Sequence, residues 1–305
     1  MLILDLSFKL IKQFKMHINI IREIIPKRIK KIIFPIRIRR SLTALFYPTS
    51  VLGRAKFEGW GMASKNNPPS IFKDNFGKNF SKDNAELIKL IKSEKVILSQ
   101  FGTIEKQLDF IEILQWRHYA VQCSLALQIE KIKNESDQIY IAEFGVCDGL
   151  TAWYAHKLLN RSNIKYQFNL FDSWSVMRSE DLNDSEENML GSYDYLKIEN
   201  TKKNLKEFSD KCNWIKGYLP DTLPKLDKKK QLGWMHIDLN SAKLTVDVLS
   251  YYLNYLSSGS LVLLDDYGHI GFSETRKLVD EWVNKNNKLV FLIVYPTGQG
   301  MIIWK

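Results

Sequence analysis

The stretch Gln138-Ile-Tyr-Ile-Ala-Glu-Phe-Gly-Val-Cys-Asp-Gly149 decides the fold predicted for this chain of 305 residues. It opens with a short apolar run, typical of a buried strand, that ends in the acid Glu143. Gly145 and Gly149 follow, and residues 150–159 have a helical pattern. Glycines let a turn pass close to a ligand, and the helix after the turn directs its unpaired N–H groups towards that ligand. The stretch therefore predicts a nucleotide-type site at the carboxyl end of a first parallel strand.

This turn is not a dinucleotide fingerprint, because G-x-G-x-x-G requires a glycine where Cys147 stands. A glycine-rich turn that binds no cofactor is the alternative interpretation. Residues 143–149 resemble motif I of the class I S-adenosylmethionine-dependent methyltransferases. The resemblance implies a cofactor, S-adenosylmethionine, surrounded by Glu143, Gly145, Val146 and Gly149.

From residue 138 onward, strand and helix patterns alternate, which predicts a parallel sheet covered on both faces. Strands are predicted near 138–144, 166–171, 213–217, 233–238, 259–264, 288–294 and 300–304. Helices are predicted near 83–95, 104–132, 149–159, 184–208, 243–256 and 272–285. The link 296–300 is too short for a crossover, so the last two strands must be antiparallel. The predicted fold is α/β and Rossmann-like, with a seven-stranded, mostly parallel sheet that ends in an antiparallel hairpin, as in class I methyltransferases.

Acidic residues close several of these strands at the same edge of the sheet. Asp172 ends the second strand and is followed by Ser173; an acid there can accept hydrogen bonds from a ribose diol, although capping a helix is the simpler role. Asp238 ends the fourth strand, and Asp265 and Asp266 end the fifth. If these two strands are neighbours, their ends lie about 5 Å apart.

Carboxylates placed so close together repel one another unless one is protonated or a cation lies between them. Oxygen ligands favour Mg²⁺ over zinc. Asp238, Asp265 and Asp266 therefore predict a magnesium site, the alternative being that one Asp caps a helix and another faces solvent. His236 lies in mid-strand and is predicted to be buried, whereas His156 is predicted to lie on the surface.

Longer stretches extend the resemblance. Residues 236–245 (His-Ile-Asp-Leu-Asn-Ser-Ala-Lys-Leu-Thr) and 257–268 (Ser-Ser-Gly-Ser-Leu-Val-Leu-Leu-Asp-Asp-Tyr-Gly) are similar to the macrocin O-methyltransferase family, as are 171–174, 216–224 and 298–300. The resemblance covers roughly residues 105–305 and implies methylation of a sugar hydroxyl. It also implies Mg²⁺ on Asp238, Asp265 and Asp266, with Asp172 beside the cofactor.

Two positions depart from the family pattern. The family usually has an acid where this chain has Asn240, and a tyrosine where it has Ala242. An asparagine still offers a neutral oxygen or a donor, so the metal site is expected to persist with less negative charge around it. Asp238 and His269 are the candidates for the base that takes the hydroxyl proton, and His269 has the more suitable ordinary pKa. An ordinary loop histidine is the alternative for His269.

The net charge of +10 is concentrated at the N-terminus: residues 1–40 contribute +9 and the other 265 residues only +1. Residues 1–41 form a basic amphipathic pattern interrupted by Pro26 and Pro35. Attachment to an anionic membrane face and packing on the catalytic domain or a second subunit are both open interpretations. The predicted organisation is therefore an N-terminal helical extension over 1–41, a connector over 42–103 in which residues 57–62 form either a lid or a surface loop, and a methyltransferase domain over 104–305.

Three cysteines without a C-x-x-C motif favour a reducing compartment, and no apolar run or cleavable signal indicates export. The expected location is cytoplasmic, with peripheral contact at the inner face of the membrane if residues 1–41 bind lipid. The expected partner is a small-molecule or glycan substrate, and a homo-oligomer is compatible with the sequence.

RNA methylation is the rival activity, disfavoured by the nearly neutral catalytic part. A scaffold that binds the cofactor without turnover is the non-enzymatic rival, supported by Asn240 and Ala242.

Overall fold

A seven-stranded sheet organises the computed structural model, which describes residues 74–133, 138–226, 231–295 and 297–305. The strand order is β3-β2-β1-β4-β5-β7-β6. The strands are β1 (Gln138–Phe144), β2 (Lys165–Asp172), β3 (Cys212–Lys216), β4 (Leu232–Ile237), β5 (Leu256–Leu264), β6 (Val290–Val294) and β7 (Gly300–Trp304). The predicted basic extension 1–41 and the predicted lid 57–62 lie outside the described residues.

Strands β1 to β5 are parallel to one another, whereas β7 is antiparallel to both β5 and β6. Two registers position the functional edge: Glu143 of β1 pairs with His236 of β4, and Ile237 of β4 pairs with Leu264 of β5. Asp238 and Asp265 each follow one member of the second pair. The sheet and its antiparallel end confirm the predicted class I methyltransferase fold.

Helices cover both faces of the sheet. They are α1 (Asn75–Lys92), α2 (Ile104–Ile113), α3 (Gln115–Ile132), α4 (Leu150–Arg161), α5 (Ile198–Asn204), α6 (Ala242–Tyr252) and α7 (Ser273–Lys285). One apolar cluster lies between the sheet and α1 to α4, and a second lies on the opposite face with α6 and α7. Buried side chains alternate between the two clusters along each central strand, as the two-residue period of a strand requires.

The structure differs from the predicted helices in two places. The helix predicted over 104–132 is divided at Leu114, which ends α2 and precedes α3. The helix predicted over 184–208 is instead a 3-10 turn at Asp184–Met189, the short α5, and a second 3-10 turn at Lys206–Lys211. Gly191 and Tyr193 between them have φ values of +70° and +67°, which a continuous right-handed helix excludes.

Helix α1 packs on the same body as the seven-stranded sheet. Its Phe80, Leu87 and Ile91 are almost fully buried in the cluster that also holds Ile141 of β1. The segment predicted as a connector over 42–103 therefore includes, from Asn75 onward, a helix that packs on the methyltransferase domain. Within the described residues, no helix is both long and apolar enough to cross a membrane.

His156 of α4 is buried, which corrects its predicted surface position. Its ring stacks on Phe208 with 4.5 Å between centroids, and its Nδ1 lies 3.0 Å from the hydroxyl of Tyr166. Burial, with a smaller contribution from the nearby charge of Lys211, lowers the pKa of His156 to about 3. The native state therefore holds a neutral imidazole over most of the acidic range.

We expect this histidine to make folding sensitive to acid. Below the ordinary histidine pKa of about 6.5, His156 binds a proton in the unfolded chain but not in the native state. The stability that is present above that pH is therefore lost as the pH falls towards 3. The loss is at most about 1.4 kcal/mol per pH unit. Urea unfolding between pH 7 and pH 4 should show a shallower dependence on pH for His156→Gln than for the unsubstituted protein. Equal slopes would contradict the assignment, whatever the variant's stability at pH 7.

Candidate active site

The turn after β1 approaches the end of β4 so closely that only glycine fits. A Cβ atom on Gly145, whose φ is +87°, would lie 1.9 Å from the backbone oxygen of Asp238. Gly149, with φ +83°, precedes α4, and no side chain caps that helix. The turn therefore touches the acidic end of β4 on one side and leads into uncapped helical N–H groups on the other.

Asp172 holds this turn in place. Its Oδ2 accepts hydrogen bonds of 2.8 Å from the backbone N–H groups of Val146 and Cys147, and its Oδ1 accepts one of 2.6 Å from Trp174 N–H. Ser173 is occupied locally: its hydroxyl donates to the carbonyl of Ser175 at 3.3 Å. The structure thus shows a structural use for Asp172, and its predicted contact with a ribose diol remains a prediction.

Glu143 lies beneath the turn and is almost fully buried. Its Oε1 is 3.0 Å from Nδ1 of His236, as the β1–β4 register requires. Burial alone would lower the pKa of His236, but its hydrogen bond to Glu143 and the charges of Glu143 and Asp265 raise it to about 9. Burial also raises the pKa of Glu143, although its hydrogen bond to His236 acts in the opposite direction. Glu143 is thus engaged with His236, and its predicted place around the cofactor remains a prediction.

Asp238, Asp265 and Asp266 come together as predicted. Each offers one carboxylate oxygen, and these three atoms lie within 4.8 Å of one another. The cause is the register of β4 and β5, which ends both strands at the same level. An all-oxygen set of this size suits a hard divalent cation such as Mg²⁺, so the donors present fit the predicted ion.

Arg117 joins the cluster from the start of α3. Its Nε donates to Oδ1 of Asp265 at 2.7 Å, and one Nη donates to Oδ2 of Asp238. Burial alone would raise the pKa of Asp265, but the charges of Arg117 and His236 hold it below its usual range. Asp265 is therefore ionised at neutral pH.

The other two aspartates have pKa values above their usual range. For Asp238, burial outweighs the opposing charge of Arg117. For Asp266, burial and then the repulsion of Asp238 and Asp265 have this effect. The cluster therefore retains a proton readily when no further cation is present.

Asn240 fixes the orientation of Asp266. Its backbone N–H and its Nδ2 both donate to Oδ2 of Asp266, at 3.0 and 2.9 Å. The hydroxyl of Tyr193 donates to Oδ1 of Asn240, which orients the amide. Ala242 is buried, and its N–H donates to Glu186 at 2.9 Å. The position predicted to supply an oxygen ligand or a donor therefore acts as a donor to one candidate ligand.

His269 lies beside the cluster and is half-buried. Its Nδ1 accepts the N–H of Gly271 at 3.0 Å, so the neutral ring carries its proton on Nε2. Burial lowers its pKa, although the charges of Asp265 and Asp238 act in the opposite direction. In this tautomer the free nitrogen is a donor rather than a proton acceptor.

Several buried polar atoms around the cluster have no partner among the described residues. They include both ring nitrogens of His118, Oε2 of Glu143, Nε2 of His236 and Oε1 of Gln299. His118 stacks on Tyr154 with 4.5 Å between ring centroids. Gln299 donates from Nε2 to Oδ1 of Asp265 at 3.0 Å. These residues form a polar layer between α3 and the carboxyl edge of the sheet. Gln299 lies in one of the stretches similar to the family, whereas Tyr193, which contacts Asn240, carried no sequence signal.

Residues 123–290 match the family described as Macrocin-O-methyltransferase (TylF). That match spans more than half of the sequence. The chain belongs to the macrocin O-methyltransferase family. It is thus an S-adenosylmethionine-dependent O-methyltransferase by membership. No curated protein compared with it matches.

Two solved structures resemble the fold of this family member. The O-methyltransferase NovP has a TM-score of 0.52 and 20% identity, and the match covers 62% of this chain and 78% of that one. The calicheamicin methyltransferase CalS11 has a TM-score of 0.50 and 15% identity, over 73% of this chain and 92% of that one. At these identities the likeness concerns the fold.

The close approach of Gly145 to Asp238 gives a direct test. Gly145→Ala should lower the free energy of unfolding by about 3 kcal/mol, because a left-handed alanine and an overpacked contact each cost about 1–2 kcal/mol or more. Urea unfolding without cofactor measures the change. Gly102→Ala is the matched control, since a Cβ there meets nothing within 4 Å. A Gly145→Ala variant within about 0.5 kcal/mol of the unsubstituted protein would contradict the contact.

Proposed function

We propose that this enzyme transfers the methyl group of S-adenosylmethionine to a hydroxyl of a sugar, in a polysaccharide, a glycolipid or a glycosylated metabolite, with the assistance of Mg²⁺. The observation that carries the proposal is the meeting of three aspartates at the strand edge that also bears the glycine turn. Membership of the macrocin O-methyltransferase family, for which the sequence resemblance implied methylation of a sugar hydroxyl, supports the substrate class. A cation site beside a methyl-donor turn is suited to activating a hydroxyl.

The two cofactors would use different parts of the edge. S-adenosylmethionine, which supplies an electrophilic methyl group when bound, would be held at the turn by Gly145, Val146 and Gly149 and at the end of β2 by Asp172. Mg²⁺, which supplies positive charge that lowers the pKa of a hydroxyl when bound, would be held by Asp238, Asp265 and Asp266. The residues of the chain must then orient the sugar and accept its proton.

Asp238 is the stronger of the two candidate bases. Among the described residues none donates to its Oδ1, since Arg117 contacts only Oδ2. Burial raises its pKa, which makes the carboxylate a better proton acceptor. His269 presents an N–H at its free nitrogen and is suited to donate a hydrogen bond to the sugar. This assignment reverses the order of preference drawn from ordinary pKa values.

The rival activities make different demands. An RNA methyltransferase needs a basic surface around its catalytic cleft, yet most of the excess charge of this chain lies in residues 1–40. A scaffold that binds the cofactor without turnover would have no use for the ionised Asp265 and the oriented Asp266. Both features favour the enzyme.

Labelled S-adenosylmethionine tests the proposal with a panel of nucleotide-linked and lipid-linked sugars, with Mg²⁺ or with EDTA. We expect label in a sugar and loss of transfer in EDTA. The kcat of Asp266→Asn should fall about 100-fold, as is typical when a group that stabilises developing charge is removed. Asp247→Asn, at an exposed ion pair with Lys243, is the control and should retain activity. Each variant is first checked for an unchanged thermal midpoint.

The other outcomes decide between the rivals. Salt-sensitive transfer of label to RNA would favour the RNA enzyme, and calorimetric binding of S-adenosylmethionine without any transfer would favour the scaffold. Transfer to a sugar that persists in EDTA would remove Mg²⁺ from the proposal and retain the substrate class. Loss of activity in His269→Gln with full activity in Asp238→Asn would exchange the roles of those two residues.

A sugar of a lipid-linked glycan would give the basic segment 1–41 a purpose, because each basic residue near an anionic membrane contributes about 1 kcal/mol of attraction. Deletion of residues 1–41 should move the protein from the membrane pellet to the supernatant. Unchanged fractionation would remove the membrane part of the proposal and leave the packing of this segment on another protein surface.

A further inference from the structure

The guanidinium of Arg117 lies between the ends of β4 and β5, where the divalent cation of the proposed site is expected. It contacts Oδ1 of Asp265 through Nε at 2.7 Å and Oδ2 of Asp238 through a terminal nitrogen. Its side chain is only 13% exposed. A fork of two donors to two different carboxylates neutralises part of the charge that a divalent ion would neutralise.

The packing of helix α3 on strand β4, rather than a loop, sets the position of Arg117. Helix α3 lies against β4 so closely that a Cβ on Gly233 would come within 2.9 Å of Ile132. Further along the helix, Nε1 of Trp234 donates to the hydroxyl of Ser124 at 3.0 Å. With these two contacts fixing the helix on the strand, its first turn holds Arg117 over the end of β4.

The remaining charges around the cluster do not replace this arginine. Lysine and arginine side chains elsewhere on the described body form separate pairs, such as Arg161 with Asp83 and Lys157 with Glu86. His236 contributes from beneath the sheet edge and lies 3.9 Å from Oδ1 of Asp265. Arg117 alone, among the described residues, contacts two of the three aspartates.

We propose that Arg117 is a built-in counter-ion that competes with a divalent cation for Asp238 and Asp265, and so sets the affinity of the site for that cation. A divalent ion must either displace the guanidinium from the two carboxylates or bind beside a fixed positive charge, and both weaken its binding. The site is therefore stable without the ion and takes it up only at higher concentration. This inference rests on the metal site of the proposed function.

Binding of Mn²⁺ to the full-length protein tests it, with the free ion measured by electron paramagnetic resonance. Mn²⁺ serves as the probe because it accepts the same oxygen ligands as Mg²⁺. Arg117→Gln should bind Mn²⁺ at least tenfold more tightly than the unsubstituted protein, and Arg117→Lys, which keeps the charge, should change the affinity far less. Arg161→Gln, at a partly buried ion pair with Asp83 elsewhere in the structure, is the matched control and should leave the affinity unchanged.

A second measurement does not require the variants to be equally stable. Thermal midpoints are recorded for each protein with EDTA and across a Mn²⁺ titration, and the shift of each is compared with its own EDTA value. Because a ligand that binds only the native state stabilises it by RT ln(1 + [L]/Kd), the shift should begin at a lower Mn²⁺ concentration for Arg117→Gln. The Asp266→Asn variant should show little shift.

The outcomes separate this inference from the proposed function. Tighter Mn²⁺ binding by Arg117→Gln supports it, including the case in which only that variant binds the ion. Equal or weaker binding by Arg117→Gln, while the unsubstituted protein binds Mn²⁺, overturns the competition and leaves the metal site intact. Absence of binding in every variant overturns both the competition and the metal part of the proposed function.

Discussion

The contact between the glycine turn and the end of β4 is the constraint on which the active edge depends. The backbone of Gly145 passes so near to that of Asp238 that no side chain fits between them. This places the predicted methyl-donor turn and the acidic cluster on adjoining strand ends. The same strands fix Glu143 beside His236 below the surface. One close backbone approach thus determines both the mouth of the site and the layer beneath it.

Bringing so many acids to one edge creates an electrostatic problem that the chain solves with its own cations. The charges of Glu143 and Asp265 raise the pKa of His236, and Arg117 of α3 contacts Asp238 and Asp265. Carboxylates that are paired and hydrogen-bonded can remain in a buried layer, whereas unpaired ones would be costly there. The polar layer therefore connects helix α3, the sheet and the glycine turn into one unit, and the positioning of α3 is part of the site.

The sequence was sufficient to predict the features that depend on strand periodicity. The alternation of strands and helices, the antiparallel end and the meeting of Asp238, Asp265 and Asp266 all follow from which residues close which strands. The contact of Arg117 with the aspartates was harder to predict, because a basic residue near the start of a helix is usually solvated. Its spacing to Val121, Gln128 and Ile132 places it on the buried face of α3, and that signal was available.

Other parts of the site depend on information that no local pattern contains. The use of Asp172 at the end of β2 is determined by N–H groups of the turn that follows the preceding strand, β1, and the pairing of Glu143 with His236 is determined by the β1–β4 register. Tyr193 lies in an irregular segment whose composition resembles a helix, but whose positive φ values direct the hydroxyl to Asn240. His156 was predicted to be exposed because the aromatic side chains that enclose it come from distant segments.

Asn240 and Arg117 are best understood together. An acid at position 240 would place a further negative charge beside Asp266, whereas the asparagine donates to that carboxylate and adds none. The cluster consequently has one fewer charge to neutralise than the family pattern provides, and Arg117 neutralises part of what remains. A site with less negative charge and a resident guanidinium has a smaller electrostatic demand for a divalent ion, since the attraction scales with the charge that is left. Both residues act in the same direction, and Asp266, which Asn240 orients, is the one aspartate of the three that Arg117 does not contact.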